Sequence, residues 1–282
     1  MKKILLSILI FLIVIITADC QQSKTSILAQ FDLANKSNKV IYLPKELKEV
    51  SGLAVGGDDI LYMHNDEKGI VYKFDIKKKK IISKYELGEK HIKKDFEDIA
   101  VLTDSVYMIT SSGILYKFSL NDGKDDIPFK KIQTGLDAKN NIEGLCYNPL
   151  NNSFLLACKD SPGKGYKGYR AVYEFDLTNL KLISEPKFLI SLDQLKDEYG
   201  IKDFAPSGIE LHKASGHFFL ISAAPEIIIE LDSDGNLIDA KKFDDKIHKQ
   251  PEGITFLNDG SLVISDEGKD KKAKITVIKR SK

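Results

Sequence analysis

Glu143-Gly144-Leu145 opens an apolar run, and four similar tripeptides recur along the chain, each at the start of a strand-like segment. The other copies are Ser51-Gly52-Leu53, Glu97-Asp98-Ile99, Ser207-Gly208-Ile209 and Glu252-Gly253-Ile254. Their middle residues are 46, 46, 64 and 45 positions apart. A repeat of about 45 residues built from short strands is typical of a β-propeller, in which each repeat forms one blade. The tripeptides therefore predict an all-β, five-bladed β-propeller.

The strands of each repeat become more polar with distance from the tripeptide. Second strands are strongly apolar, as in Phe154–Cys158, and third strands alternate, as in Val71–Asp75. Fourth strands such as Ile81–Leu87 carry more polar residues. This gradient indicates a buried inner strand and an exposed outer strand in every blade.

The last repeat ends after three strands, and Lys39–Leu43 can supply its outer strand. Pairing the two ends of the domain closes the ring and removes a free sheet edge. We therefore place the propeller domain at residues 39–282. A six-bladed propeller is the alternative, with Ile27–Leu33 in a degenerate sixth blade.

Residues 1–19 are typical of a signal peptide. Lys2 and Lys3 precede an apolar run from Ile4 to Ile16, which is shorter than the roughly 20 residues that cross a bilayer. Cys20 follows and resembles the lipid-attachment cysteine of bacterial lipoproteins, although Asp19 stands where that motif has a small residue. We expect an exported protein of the cell envelope. It is either anchored to the membrane by a lipid on Cys20, with residues 20–38 as attachment site and tether, or free in the periplasm.

The charge balance limits the kind of partner, and the strand register predicts the state of the cysteines. The chain has 42 Lys and Arg against 41 Asp and Glu, which argues against a nucleic-acid partner. Pairing Tyr147 with Phe154 on adjacent strands places Cys146 opposite Leu155 rather than Cys158. The register therefore predicts two free thiols. We expect a monomer.

Three of the five tripeptides begin with glutamate. In an up-and-down blade, the start of the first strand and the end of the second lie at the same mouth of the central channel. Carboxylates gathered there repel one another unless a cation lies between them. Oxygen donors without a His or Cys cluster suit Ca²⁺, with Mg²⁺ as the alternative. The candidate metal ligands are Glu97, Glu143, Glu252, Asp66, Asp160 and Asp266. A structural or merely solvated role for the repeated glutamates stays open.

Four more polar residues near this mouth could bind a protein or a small molecule. Lys159 and Arg170 could bring positive charge over the carboxylates, or they could form salt bridges with neighbouring acids. Asn65 could complete a ligand set. His64 could be a hydrogen-bonding residue or a general base.

The repeats resemble the SdiA-regulated family, also called YjiK/CarP-like. The resemblance rests on five segments and covers nearly all of the chain after Cys20. These segments are Glu49-Val50-Ser51-Gly52-Leu53-Ala54, Phe96-Glu97-Asp98-Ile99-Ala100, Asn141-Ile142-Glu143-Gly144-Leu145, Ala205-Pro206-Ser207-Gly208-Ile209-Glu210 and Pro251-Glu252-Gly253-Ile254. It implies a five-bladed propeller exported to the envelope, with a calcium site in at least one member and a link to calcium homeostasis or phytase-like activity.

Three functions remain open at this stage. The first is a calcium-binding module that binds or senses a ligand in the cell envelope. The second is a metal-dependent hydrolase of the phytase, esterase or lactonase kind, in which the ion polarises an ester or phosphoryl oxygen. Such an enzyme needs a base, and only His64, Asp66 or Asp160 could serve. The third is a protein-interaction scaffold without metal.

Overall fold

Antiparallel sheets of four or five strands repeat five times in the computed structural model, which describes residues 25–103, 105–121 and 123–281. The predicted signal peptide (residues 1–19) and Cys20 lie outside the described residues. In chain order the strands are β1 (Lys39–Tyr42), β2 (Val50–Val55), β3 (Ile60–Asn65), β4 (Ile70–Asp75), β5 (Lys80–Glu86), β6 (Phe96–Leu102), β7 (Ser105–Thr110), β8 (Ile114–Ser119), β9 (Lys130–Gln133), β10 (Ile142–Asn148), β11 (Ser153–Cys158), β12 (Tyr169–Asp176), β13 (Lys181–Leu182), β14 (Phe188–Ser191), β15 (Pro206–His212), β16 (His217–Ala223), β17 (Glu226–Leu231), β18 (Leu237–Lys242), β19 (Pro251–Phe256), β20 (Leu262–Asp266) and β21 (Lys274–Ile278).

These strands form five blades. Blade 1 contains β2–β5, blade 2 contains β6–β9, and blade 4 contains β15–β18. Blade 3 contains β10–β12, and both β13 and β14 pair with β12 as its outer strands. Blade 5 contains β19–β21 and takes β1 as its fourth strand. The first strands, β2, β6, β10, β15 and β19, contact one another in a closed ring, so the predicted five-bladed propeller is confirmed.

The N-terminal strand closes the ring as predicted. β1 pairs antiparallel with β21 and places Ile41 opposite Ile275. Each of the five interfaces between blades contains one apolar cluster, and Ile41 and Ile275 are buried in the cluster between blades 5 and 1. Burying one such side chain contributes about 1.5–3 kcal/mol.

Residues 26–33 pack on the propeller, although the sequence assigned them to the tether or to a sixth blade. A 3₁₀ turn at Leu28–Gln30 directs Leu28 and Phe31 into the apolar cluster between blades 4 and 5. Both side chains are buried, with exposed fractions of 0% and 2%. The six-bladed alternative is wrong, because this segment fills an interface between two existing blades.

Glu230 on β17 fixes this N-terminal segment. Its carboxylate accepts hydrogen bonds from the backbone N–H groups of Ile27 (3.0 Å) and Leu28 (2.7 Å) and from Ser26 Oγ (3.0 Å). His217 Nδ1 lies 2.6 Å from the same carboxylate. Glu230 is fully buried (0% exposed), so these partners satisfy a carboxylate that water cannot reach.

Two local predictions are also confirmed. Ser191 caps the helix α1 (Leu192–Tyr199), because its Oγ accepts a hydrogen bond from the backbone N–H of Gln194 (3.2 Å). Cys146 lies opposite Leu155, and both described cysteines are free and buried. Within the described part of the chain, no helix is long and apolar enough to cross a membrane.

Candidate functional site

A β-bulge interrupts every first strand at the repeated tripeptide. In blades 2 to 5 the residue left out of the pairing is the first of the tripeptide, and in blade 1 Ser51 and Gly52 together face His64. A bulge bends the strand and changes the direction of the extra side chain. The equivalent bulge residues are Ser51, Glu97, Glu143, Ser207 and Glu252.

Hydrogen bonds from the tripeptides join neighbouring blades. Ser51 Oγ donates to the backbone carbonyl of Glu97 (2.6 Å), and Ser207 Oγ donates to that of Pro251 (2.7 Å). Asp98, which stands where the other copies have glycine, accepts from the backbone N–H of Leu145 in the next blade (2.7 Å). Asp98 is therefore part of the ring's framework.

The structure brings the three glutamates together. Burial and the neighbouring carboxylate of Glu143 raise the pKa of Glu97 to about 9. Burial raises the pKa of Glu252 to about 8, with a further contribution from Glu143. Burial also raises the pKa of Glu143 itself, against the opposing effect of Lys159. Three blades thus place carboxyl groups within electrostatic reach of one another at one mouth of the channel.

Lys159 supplies a cation to this group. Its Nζ lies 2.8 Å from Glu143 Oε1 and donates a hydrogen bond to it. Burial lowers the pKa of Lys159, but Glu143, Glu252 and Glu97 outweigh that effect and raise it. One ammonium group is therefore shared electrostatically by three carboxyl groups.

Two aspartates add charge at the edge of the same group. Asp160 raises the pKa of Glu143, and its Oδ2 accepts a hydrogen bond from Asn141 Nδ2 (2.9 Å). Asp95 raises the pKa of both Glu97 and Glu143 and accepts a hydrogen bond from Ser111 Oγ. The sequence reasoning missed Asp95, although it precedes Glu97 by two residues and so lies near the same end of β6.

Asp66 lies in a second acidic group, which adjoins the glutamates because Glu267 raises the pKa of both Asp66 and Glu252. Burial, together with repulsion from Glu49, Glu67 and Glu267, raises its pKa to about 6. The preceding Asn65 donates from Nδ2 to the backbone carbonyl of Glu46 (2.7 Å). Within the described residues, the Oδ1 atoms of Asn65 and Asp66 are buried without a hydrogen-bond partner.

The carboxylate of Asp266 is engaged with its own surroundings. It accepts hydrogen bonds from His248 Nδ1 (2.8 Å) and from the backbone N–H of Lys249 (3.0 Å). His248 is fully buried, and Lys274 Nζ lies 3.8 Å from Asp266. Asp266 thus pairs with a histidine in the segment that precedes blade 5.

His64 and Arg170 also have structural partners. His64 is fully buried, its Nε2 accepts from the backbone N–H of Gly52 (3.2 Å), and its Nδ1 donates to the backbone carbonyl of Asn65 (2.9 Å). Burial lowers the pKa of His64 to about 4, so the ring is neutral at pH 7. Arg170 donates to the backbone carbonyl of Phe204 (2.6 Å) and lies 3.2 Å from Asp203. Both nitrogens of His64 are occupied, which leaves it no lone pair for base catalysis.

In the described ranges of the chain, no three His, Cys, Asp or Glu side chains are arranged so that they could hold a metal ion. The donor chemistry at the mouth nevertheless suits a hard cation, because carboxylate and hydroxyl oxygens are the ligands that Ca²⁺ prefers. In this arrangement Lys159 is the positive charge that faces the glutamates.

The fold and the site define an all-β propeller with buried carboxyl groups at one mouth of its channel. The model of the SdiA-regulated family matches residues 180–282, which include blade 4 and strands β19–β21 of blade 5. This match confirms the predicted resemblance over these residues, which contain the last two of the five tripeptides. Comparison with curated proteins gives no significant match.

Several solved structures have a similar fold. A luciferin-regenerating enzyme is 12% identical with a TM-score of 0.52, over 87% of this chain and 97% of that one. The PQQ-bound aldose sugar dehydrogenase from Streptomyces coelicolor is 11% identical with a TM-score of 0.51, over 87% and 99%. A protein of unknown function from Bacteroides thetaiotaomicron is 14% identical with a TM-score of 0.51, over 83% and 56%. At these identities the similarity shows the fold alone.

Proposed function

We propose that this protein is a monomeric binding module of the cell envelope whose acidic channel mouth binds Ca²⁺, with Mg²⁺ as a weaker competitor. One observation carries the proposal: Lys159 Nζ lies 2.8 Å from the buried Glu143, and the half-buried carboxyl groups of Glu97 and Glu252, from two other blades, are near enough to raise the pKa of the same ammonium group. If all three were ionised, they would exceed the charge of Lys159 by two. Ca²⁺ carries that charge and accepts six to eight oxygen ligands in flexible geometry.

Glu97, Glu143 and Glu252 are not arranged around one point in the structure, so their side chains would turn toward the ion to hold it. The nearby Asp95 and Asp160 would add negative charge. Glu97 and Glu252 keep their protons at neutral pH because burial raises their pKa. A bound cation favours the ionised forms, so binding would release protons and strengthen as the pH rises. Lys159 would compete with the ion for Glu143. Asp266 does not enter this ligand set, because His248 and the backbone N–H of Lys249 hold its carboxylate. Asp66 does not enter it either, because none of the three glutamates affects its pKa.

Adding millimolar Ca²⁺ to the EDTA-treated purified protein should raise its thermal unfolding midpoint by several degrees. A ligand that binds only the native state at 100 times its Kd adds about 2.7 kcal/mol to the free energy of unfolding. A differential scanning calorimetry series at pH 7 and pH 9 measures this shift, which should be larger at pH 9. No shift with Ca²⁺ at either pH would contradict the metal site and favour the scaffold.

Two sets of variants assign the site. The double variant Glu97→Gln/Glu252→Gln should lose the Ca²⁺ shift, whereas Asp66→Asn should keep it because Asp66 lies in the other acidic group. Lys159→Met removes the competing ammonium and should tighten Ca²⁺ binding. If Ca²⁺ raised the unfolding midpoint equally in all three variants, the ion would bind elsewhere on the chain.

The hydrolase is the second candidate, because the structure engages both nitrogens of His64, one of its three candidate bases. Incubating the Ca²⁺-loaded protein with aryl esters, lactones and phytate tests this choice directly. Turnover of any of them that is lost in Glu97→Gln/Glu252→Gln would replace the binding module with an enzyme.

We also propose export and membrane anchoring through a lipid on Cys20. The basic start, the apolar run and the cysteine directly after it support this proposal. Replacing Cys20 with serine should move the protein from the membrane fraction to the soluble envelope fraction. Unchanged fractionation of Cys20→Ser would contradict the anchor.

A further inference from the structure

A cavity of about 250 Å³ lies where the first strands end, at the opposite end of the channel from the glutamates. One equivalent residue from every blade lines it, two positions after the middle residue of each tripeptide. These five residues are Ala54, Ala100, Cys146, Glu210 and Thr255. The sequence repeat thus builds a second ring of side chains that neither the acidic mouth nor the proposed calcium site uses.

Blades 3, 4 and 5 give this cavity a polar side. Glu210 Oε2 accepts a hydrogen bond from Thr255 Oγ1 (3.0 Å), and Glu210 Oε1 accepts one from the backbone N–H of Leu211 (2.7 Å). Cys146 Sγ lies 3.8 Å from Glu210 Oε1. Thr255 and Cys146 are buried and Glu210 is half-buried, so the carboxyl group of Glu210 is the most accessible polar group of the five-residue ring.

Blades 1 and 2 give the cavity an apolar side. Ala54 and Ala100 are the two smallest members of the ring, and their short side chains leave the space that the cavity occupies. Val55, Val101 and Leu257 are half-buried and also line the cavity. The five-fold repeat is therefore asymmetric here, with hydrocarbon on one side and hydrogen-bonding groups on the other.

The charges around the cavity disfavour an ionic occupant. Burial raises the pKa of Asp98, and the neighbouring carboxyl group of Glu210 raises it further. Burial also raises the pKa of Glu210, so the ionised forms of both acids are disfavoured and they offer a cation no full negative charge. Lys213 also lines the cavity and is exposed, which opposes a cation. A charged head group would also lose its hydration without gaining an opposite charge on the buried side.

We propose that this end of the channel is a second binding site, for a small neutral molecule with an apolar ring and one hydroxyl group. The hydroxyl would hydrogen-bond to the Glu210–Thr255 pair, and the ring would fill the side bounded by Ala54 and Ala100. An enclosed cavity of about 150 Å³ is enough to bind benzene. The space here is larger and open on one side to solvent, so it has room for a substituted ring. The site is independent of the proposed calcium site.

Phenol and toluene are a matched pair of probes, because they differ mainly in the hydroxyl group. Titration of the ¹⁵N-labelled purified protein with phenol should give saturable shifts in the amide signals of β2 and β6, with a Kd in the low millimolar range. Toluene should bind about tenfold more weakly. Equal affinities would overturn the role of the Glu210–Thr255 pair. The absence of a saturable shift would show a solvent-filled channel only.

Three variants separate this site from the rest of the propeller. Thr255→Val keeps the side-chain shape and should weaken phenol about fivefold, and Ala100→Leu should abolish phenol binding by filling the cavity. If Ala100→Leu does not fold, Ala54→Leu takes its place with the same expectation. Glu97→Gln/Glu252→Gln should bind phenol normally. Phenol binding that survives in the filled variant, or that is lost in the double glutamine variant, would overturn the proposal.

Discussion

Replacing Glu230 with alanine should lower the free energy of unfolding by about 3–5 kcal/mol. The substitution removes the acceptor for the buried backbone N–H of Leu28, for the half-buried one of Ile27 and for the Ser26 hydroxyl. It also leaves His217 without its carboxylate partner. The N–H of Leu28 would have no water to replace the lost acceptor, because Glu230 and Leu28 are both fully buried. Urea denaturation followed by circular dichroism measures the loss.

Two variants control for this effect. Glu226→Ala lies on the same strand, β17, but its side chain is half-buried, and it should cost no more than about 0.5 kcal/mol. Glu230→Gln keeps one acceptor oxygen, so its loss in the free energy of unfolding should lie between those of Glu230→Ala and Glu226→Ala. If Glu230→Ala were as stable as Glu226→Ala, the N-terminal segment would contribute little to the fold.

The stability of the metal-free protein should fall as the pH rises from 7 to 9. Burial is the main reason that the pKa of Glu97 is raised from its ordinary value of 4.5 to about 9, and that of Glu252 to about 8. Between pH 4.5 and these values the folded state binds protons that the unfolded state has released. The contribution of these protons to the free energy of unfolding is therefore complete below pH 4.5. It is lost as the pH rises through the pKa values that the two glutamates have in the folded state. The slope is up to about 1.4 kcal/mol per pH unit for each group.

The test is best made above pH 7, because His64 has the opposite effect at lower pH. Its folded pKa of about 4 lies below its ordinary value of 6.5, so its contribution increases between pH 4 and 6.5. Glu97→Gln/Glu252→Gln should flatten the decline between pH 7 and 9, since an amide does not ionise. The exposed Glu89→Gln should leave it unchanged. Urea midpoints at pH 7, 8 and 9 measure the slope, and an equally steep decline in the double variant would show that other groups cause it.

Much of the fold could be predicted because the propeller repeats its pattern. Each tripeptide marks a bulge at the start of a first strand, and counting these tripeptides gives the number of blades. Lys39–Leu43 could be assigned to blade 5 because the last repeat lacks a fourth strand. The register of β10 and β11 followed from one short connection, and it placed Cys146 opposite Leu155.

The N-terminal segment could not be predicted in the same way. Leu28 and Phe31 pack between blades 4 and 5, but no second copy of their segment exists from which a pattern could be recognised. Glu230 holds the segment through backbone N–H groups about 200 residues away in the chain. Hydrogen bonds to backbone leave no signature in side-chain composition.

The acidic mouth was predictable only in part. Equivalence between repeats identified Glu97, Glu143 and Glu252, because the same position in every blade faces the same mouth. Asp66 and Asp266 follow second strands, where local partners decide the direction of the side chain. Asp266 pairs with His248, which precedes blade 5 in a segment without a counterpart in the other repeats.

The pairing of β1 with β21 also constrains when the protein can finish folding. Residues 39–42 find their partners only after residues 274–278 have been synthesised. During almost all of its synthesis, the chain therefore has a first strand without a partner and lacks a complete fifth sheet. Bringing such distant segments together costs loop-closure entropy before any contact repays it. Joining the two ends is therefore a late step in biogenesis. A chain that is truncated before the last strand keeps an open sheet edge, which is prone to aggregation.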